Sequence, residues 1–404
     1  MSLGFLRETE EFKKLLQAIK QGEKGLGVSG LVESSKHFFL STLVQESKKK
    51  VVFIQPCSYS LSQVEEQCRF FLSQFSSDLS LASLPSLSEN PYQEIFPSLD
   101  SVSSRMKFFY ELIHRPPSLV LTNLSGLLKP FPSPQNLDQF FLNLERGRAS
   151  SRDQVLETLH SYGYSREDLV NSAGEYAWRG GVVDVYSPWQ PYPCRIEFSG
   201  DDVASIREFE PSTQRSIKKI DRILLPSLHE FPSSAQFLRE WEELALRKEG
   251  ARCLKDIEEK TALIRKGDFF PSFFYLSLAH KENFVPFTHY LKDYLFIIDE
   301  FDEVEREWRE TVKDLRVQYD ELKENRKLCL PPEDIYSTSL WEKIKKEAIQ
   351  CQELSPRRGE KTLSFAFQSV PKFKNRIPFF LEYLKRLQEE RERCFIFFSS
   401  EGLR

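Results

Sequence analysis

At 404 residues the chain exceeds one ordinary core, and it predicts two or three domains. Lys and Arg number 56 against 60 Asp and Glu, which excludes a whole-chain, charge-driven nucleic-acid binder but not a local patch. The seven cysteines are scattered without a C-x-x-C pair, against a zinc site or disulfide framework and in keeping with a reducing compartment. Residues 1–16 lack an apolar signal core and no apolar run approaches membrane-spanning length, so a cytoplasmic protein without a membrane partner is expected.

Residues 5–21 pattern as an amphipathic helix with Phe5, Phe12, Leu15, Leu16 and Ile19 on one side. A Gly-rich stretch from Gly25 to His37 follows, then a helix to about Gln45 and a strand at Val51–Gln55. This is the layout in which a phosphate-binding loop sits, with glycines to cradle phosphates, a lysine for the outer phosphates and Ser/Thr for the metal. Counting from Gly30, Ser35 replaces the second glycine, Lys36 is present, and His37 holds the Ser/Thr position. Spacing alone favours a plain turn with a surface lysine over a degenerate nucleotide site.

A helix at Ser103–His114 and a strand at Leu119–Thr122 extend the same α/β domain, and Pro130, Pro132 and Pro134 mark its exit. Capping-box patterns at Ser151–Gln154 and Ser165–Asp168 predict two short helices, the first ending near His160. Alternating runs then predict antiparallel strands at Glu175–Arg179, Val182–Tyr186, Cys194–Ser199 and Val203–Phe209. In the third run Cys194, Ile196 and Phe198 share a packing face. Arg195, Glu197 and Ser199 share a polar face, expected to be free to meet a partner.

Phe237–Lys266 reads as a charge-laced helix pair, and Phe273, Phe274, Tyr275 and Phe284 as core rather than a base-stacking platform. The apolar run from Tyr294 ends in Asp299 and Glu300, where a nucleotide enzyme would hold its magnesium; the competing reading is a solubilising strand end. A charged helix over Glu305–Lys327 and a polar connector after Pro331-Pro332 precede a last helix, Ile377–Arg391, and a strand, Cys394–Ser399. A chain stopping just after a strand is expected to be a truncated or excerpted product.

The runs Gly174–Tyr186, Arg195–Phe198, Gly200–Asp202, Ser205–Phe209 and Gln214–Ser216 resemble the UvrB-like second domain of bacterial transcription-repair coupling factors (Mfd). Leu224–Pro232, Asn90–Tyr92 with Ser104-Arg105, and Leu330–Tyr336 fit the same family. The resemblance covers essentially the whole chain and is specific over residues 150–232. It implies a multi-domain α/β fold, the UvrB homology module. A P-loop-NTPase-like domain 1 (1–136 and 233–330) is interrupted by a small α+β, UvrA-binding domain 2 (137–232). A linker (331–359) and the start of a further α/β domain (360–404) follow.

The resemblance further implies recruitment of UvrA to RNA polymerase stalled at DNA lesions. The family's UvrA-contacting arginines fall on Arg179 and Arg195, and Glu197 and Ser199 complete the expected contact set. Ser199 stands where a second aromatic often follows, which removes an apolar contact. The family's first ATP site is degenerate, matching Gly30, Ser35, Lys36 and His37; Asp299 and Glu300 are closer to the UvrB pattern. No cofactor is therefore expected for this chain. ATP and magnesium serve the family's translocase motor which, with the contacts to polymerase and double-stranded DNA, is expected beyond Arg404. The alternative is a UvrB-like, ATP-dependent DNA-damage-processing enzyme using Lys36, Asp299 and Glu300. It calls for a working phosphate loop and a Tyr-rich hairpin, and residues 85–110 are too short for that hairpin, with only Tyr92 and Tyr110.

Overall fold

The computed structural model describes residues 5–75, 78–86, 90–93, 95–230, 235–265, 270, 284–291, 293–353, 362–373 and 376–390. Thr9, whose hydroxyl accepts the Phe12 N–H, caps the first helix, α1 (Glu10–Lys20), which buries Phe12, Leu15, Ala18 and Ile19 and leaves Phe5 outside. Strand β1 (Gly27–Ser29), helix α2 (Ser35–Ser47), strand β2 (Lys50–Gln55), helix α3 (Leu61–Ser73), strand β3 (Leu81–Leu84), helix α4 (Leu99–His114) and strand β4 (Leu119–Asn123) follow. β2 is buried from Val51 to Gln55 and β4 throughout. Helices cover both faces of a parallel sheet, so its central strands read as unbroken apolar runs.

After β4 the chain enters an inserted domain through Phe141–Glu145 and leaves it through Arg222–Pro226, and these segments pair antiparallel as a two-stranded stem. Between them lie helix α5 (Arg152–Ser161) and strands β5 (Ser165–Arg166), β6 (Glu175–Arg179), β7 (Val182–Val185), β8 (Cys194–Ser199), β9 (Asp202–Phe209) and β10 (Ser216–Ile220). They form one sheet in the order β10-β9-β8-β7-β6-β5. One face carries a core of its own, with Val155 and Leu159 of α5, Tyr176, Val183, Val185, Cys194, Ile196, Val203 and Ile206. The helix expected at Ser165–Asp168 is instead β5, because Ser165 N–H donates to the Gly174 carbonyl and Glu167 N–H to the Tyr176 carbonyl. Ser151 precedes α5 but its side chain makes no capping bond.

The chain returns through α6 (Ala235–Arg265), two helical stretches joined across a break at Cys253. Strand β11 (Tyr294–Ile298), helix α7 (Phe301–Glu324), helix α8 (Thr338–Glu347) and strands β12 (Ile349–Gln352) and β13 (Thr362–Ser364) complete the seven-stranded parallel sheet, ordered β13-β1-β12-β11-β2-β4-β3. Two expected boundaries change here. Residues 338–352 are not linker, since β12 sits between β1 and β11; and β13 pairs with β1 rather than opening a new domain. The compact unit runs to Phe365, and a second unit spans 366–404 with helix α9 (Ile377–Glu389). Phe273, Phe274, Tyr275 and the strand expected at Cys394–Ser399 lie outside the described residues.

Candidate functional site

In the inserted sheet, Ala177 faces Asp184, Asp184 faces Arg195 and Arg195 faces Arg207; one step along, Arg179 faces Val182 and Val182 faces Glu197. Side chains alternate, so Arg179, Asp184, Arg195, Glu197 and Arg207 all leave the face opposite the domain core. The packing and polar faces are as the sequence alternation predicts. The polar face is not unoccupied, however.

The Arg195 guanidinium donates to both Asp184 oxygens, at 2.8 and 2.7 Å, and to the Gln214 side-chain carbonyl at 3.1 Å, and lies 4.6 Å from the Phe209 ring centre. The Asp184 hydrogen bonds raise its pKa above the ordinary arginine value. Glu197 accepts the Ser205 hydroxyl at 2.6 Å and pairs with Arg207, and these contacts hold its carboxyl below the usual range. Arg179 is exposed and makes no ion pair among the described residues, only a 3.4 Å contact to the Asp168 carbonyl. Ser199 is exposed at the end of β8. Leu169, Ala177, Arg179, Val182 and Arg195 line a depression of about 280 Å³ on this face.

Arg195 is thus a pre-oriented donor and Arg179 an uncommitted one. Holding a guanidinium in a fixed fork before a partner arrives reduces the ordering cost of binding. Asp184, Gln214 and Phe209 were not legible as site residues. Asp184 becomes visible only once the β7–β8 register places it directly opposite Arg195.

The Gly30–His37 stretch joins β1 to α2, where a phosphate loop would lie. Gly30 has φ +79° and a Cβ there would meet the Phe365 carbonyl at 1.8 Å, so glycine is required by the close pass of the chain leaving β13. The amides of Ser35, Lys36 and His37 donate to the carbonyls of Val32, Glu33 and Ser34 at 3.0, 3.3 and 3.2 Å. They are spent inside the turn rather than aimed at an anion.

Lys36 is not the surface lysine that spacing favours. It is buried and bonded to Glu300 at 2.6 Å and to Asp299 at 3.1 Å. Burial alone would lower its pKa, but Asp299 and Glu300 together raise it. Burial pushes Asp299 up to about 6 against the opposing pull of Lys36. His37 is buried with Nδ1 lacking a hydrogen-bond partner, and burial beside the Lys36 charge lowers its pKa to about 4, so it is neutral at pH 7. The structure therefore unites Lys36, Asp299 and Glu300 as one closed ion cluster. Among the described residues no group of three or more His, Cys, Asp or Glu side chains could hold a metal, and no helix is long and apolar enough to cross a membrane.

Residues 142–231 match the family model described as the UvrB interaction domain, a span that takes in nearly all of both stem strands and everything between them. The transcription-repair-coupling factor of Mycobacterium bovis is 35% identical over 148 residues, which is 35% of this chain and 12% of that protein. The Escherichia coli transcription-repair-coupling factor is 27% identical over 215 residues, 53% of this chain and 18% of that protein. The UvrABC system protein B of Kosmotoga olearia is 21% identical over 243 residues, 57% of this chain and 36% of that protein. The chain thus matches from about an eighth to about a third of the length of these relatives. Residues 142–231 thus match the UvrB interaction domain, and over a third to somewhat more than half of its length the chain is similar to transcription-repair-coupling factors and to a UvrABC system protein B.

Proposed function

We propose that this chain recruits UvrA in transcription-coupled nucleotide excision repair, so that the excision machinery reaches RNA polymerase stalled at a DNA lesion. Contact with polymerase and with double-stranded DNA, and any ATP-driven translocation, belong to other parts of a coupling factor. The carrying observation is the coincidence of the UvrB interaction domain with an inserted sheet that shows an uncommitted Arg179 beside a pre-oriented Arg195. On this reading Arg179 and Arg195 bind UvrA carboxylates or carbonyls, Glu197 keeps Arg207 in place, and Ser199 adds a small polar contact. Arg179→Glu is expected to weaken UvrA binding by at least about 2 kcal/mol, roughly thirtyfold, in a calorimetric titration. Unchanged affinity would remove the reading. Arg195 variants require a melting control, because they also leave Asp184 unpaired.

A UvrB-like, ATP-dependent enzyme is the second reading, favoured by the closeness of Lys36 to Asp299 and Glu300. The spent amides and the paired Lys36 speak against a bound polyphosphate, so we assign this chain no ATP turnover and no cofactor. A nucleotide bound at a hundred times its dissociation constant would stabilise the fold by about 2.7 kcal/mol. Millimolar Mg-ATP is expected to leave the thermal midpoint unmoved. A clear upward shift, or hydrolysis lost in Lys36→Ala, favours the enzyme.

A further inference from the structure

We infer that the docking face does not end at Arg195 but crosses the whole sheet to the edge strand β10, where Lys219 and Ile217 form a second anchor for an acidic surface of UvrA. This rests on the reading that the sheet docks UvrA. The register carries it. Arg195 faces Arg207 and Arg207 faces Lys219, so Lys219 leaves the same face as Arg195 and Arg179. Ile217 lies two residues along β10, unpaired at a bulge in the β9–β10 ladder, and is exposed at the same sheet edge, whereas Ile220 packs on the domain core.

The composition of the row fits one partner chemistry. In its middle, Arg195 is neutralised by Asp184 and Arg207 by Glu197. At its ends, Arg179 and Lys219 are exposed and form no ion pair among the described residues. The net positive charge therefore lies at the two ends, separated by four strand spacings of about 4.8 Å, or about 19 Å. That width suits one standard protein interface. Ile217, 47% exposed on the same edge strand as Lys219, supplies apolar area at that end of the sheet. The complement is a UvrA surface with carboxylates at both ends of a span of this width. The competing explanation is that β10, paired among the described residues with β9 alone, carries lysine to prevent edge-to-edge association.

Lys218 separates the two. It is next in sequence, on the same edge, but it leaves the opposite face and pairs with Glu208 at 3.3 Å. The test titrates UvrA with the 404-residue chain, Lys219→Glu, Ile217→Ser and Lys218→Ala, at low and at physiological salt, with the oligomeric state followed by light scattering. Expected are a loss on the order of tenfold for Lys219→Glu and a smaller one for Ile217→Ser, a shallower salt dependence for Lys219→Glu, and no loss for Lys218→Ala. Parent-like binding by Lys219→Glu overturns the inference and leaves UvrA docking intact, whether or not the variant self-associates. Equal losses for Lys219→Glu and Lys218→Ala overturn it too. A parent chain that does not bind UvrA at all removes the docking reading and this extension together.

Discussion

Arg105→Met is expected to destabilise the chain by about 3–5 kcal/mol, the cost of breaking a buried ion pair from one side. Arg105 is fully buried on α4 and forks onto both carboxylate oxygens of Glu230, with Lys129 Nζ 3.4 Å from the same carboxylate. Its remaining N–H groups reach the Pro85 and Gly126 carbonyls, and the Phe109 and Phe131 rings lie 5.6 and 5.5 Å away. Glu230 lies just beyond the stem strand Arg222–Pro226, so this cluster fastens the exit of the inserted domain to the parallel-sheet domain. Removing the arginine leaves Glu230, with 4% of its side chain exposed, short of its main partner.

The pH dependence has a definite sign. Burial alone would raise the Glu230 pKa, but Arg105 and Lys129 outweigh it and hold the carboxyl below its ordinary value. A depressed folded-state pKa contributes stability that is present above the unfolded value, about 4.3, and is lost as pH falls through the folded value. Urea unfolding of the parent should therefore lose stability below about pH 4.3, and Arg105→Met should lack that share of the decline. A variant within about 1 kcal/mol of the parent at pH 7 would contradict the clamp.

Lys36→Ala is expected to have a comparable effect at pH 8 and a clearly smaller one at pH 5. The substitution leaves Asp299, with 3% of its side chain exposed, without its counter-ion, a loss of about 3–5 kcal/mol if the carboxylate stays charged. Burial raises Asp299 to about 6 in the folded state. A raised acid pKa favours the folded state at low pH, and this share of stability is lost as pH rises from about 4 through about 6. At pH 5 Asp299 can take a proton in place of its lost partner; at pH 8 it cannot do so cheaply. Lys36 itself stays charged at both, because its own pKa is raised. Chemical denaturation at the two pH values measures the difference, and equal losses would show that Asp299 does not respond to Lys36.

The strand-rich stretch from Glu175 to Phe209 was legible because alternation and Gly-Gly or Gly-Asp turns fix both the elements and the face each residue occupies. β2, β4 and β11 were legible as apolar runs. β12 and β13 were not: IQCQ and TLS are short, half polar, and become strands only through their neighbours β1 and β11. Ser165-Arg-Glu-Asp satisfies a capping pattern, yet the Gly174 and Tyr176 carbonyls at the start of β6 accept its amides and win. The departure of Ser35 and His37 from the phosphate-loop pattern was visible in the sequence, whereas the burial of Lys36 against Asp299 and Glu300 is a long-range contact that spacing cannot reveal. The Asp184–Arg195 pair depends on hairpin register in the same way.

Arg179 and Arg195 together decide whether the inserted sheet is a docking surface. Calorimetric titration of UvrA into the parent chain and into the Arg179→Glu/Arg195→Glu double variant, with thermal melting of both, addresses this in one experiment. Saturable binding by the parent and none by a still-folded double variant is the predicted result; parent-like binding by the double variant, or no binding by the parent, would contradict UvrA recruitment through this face.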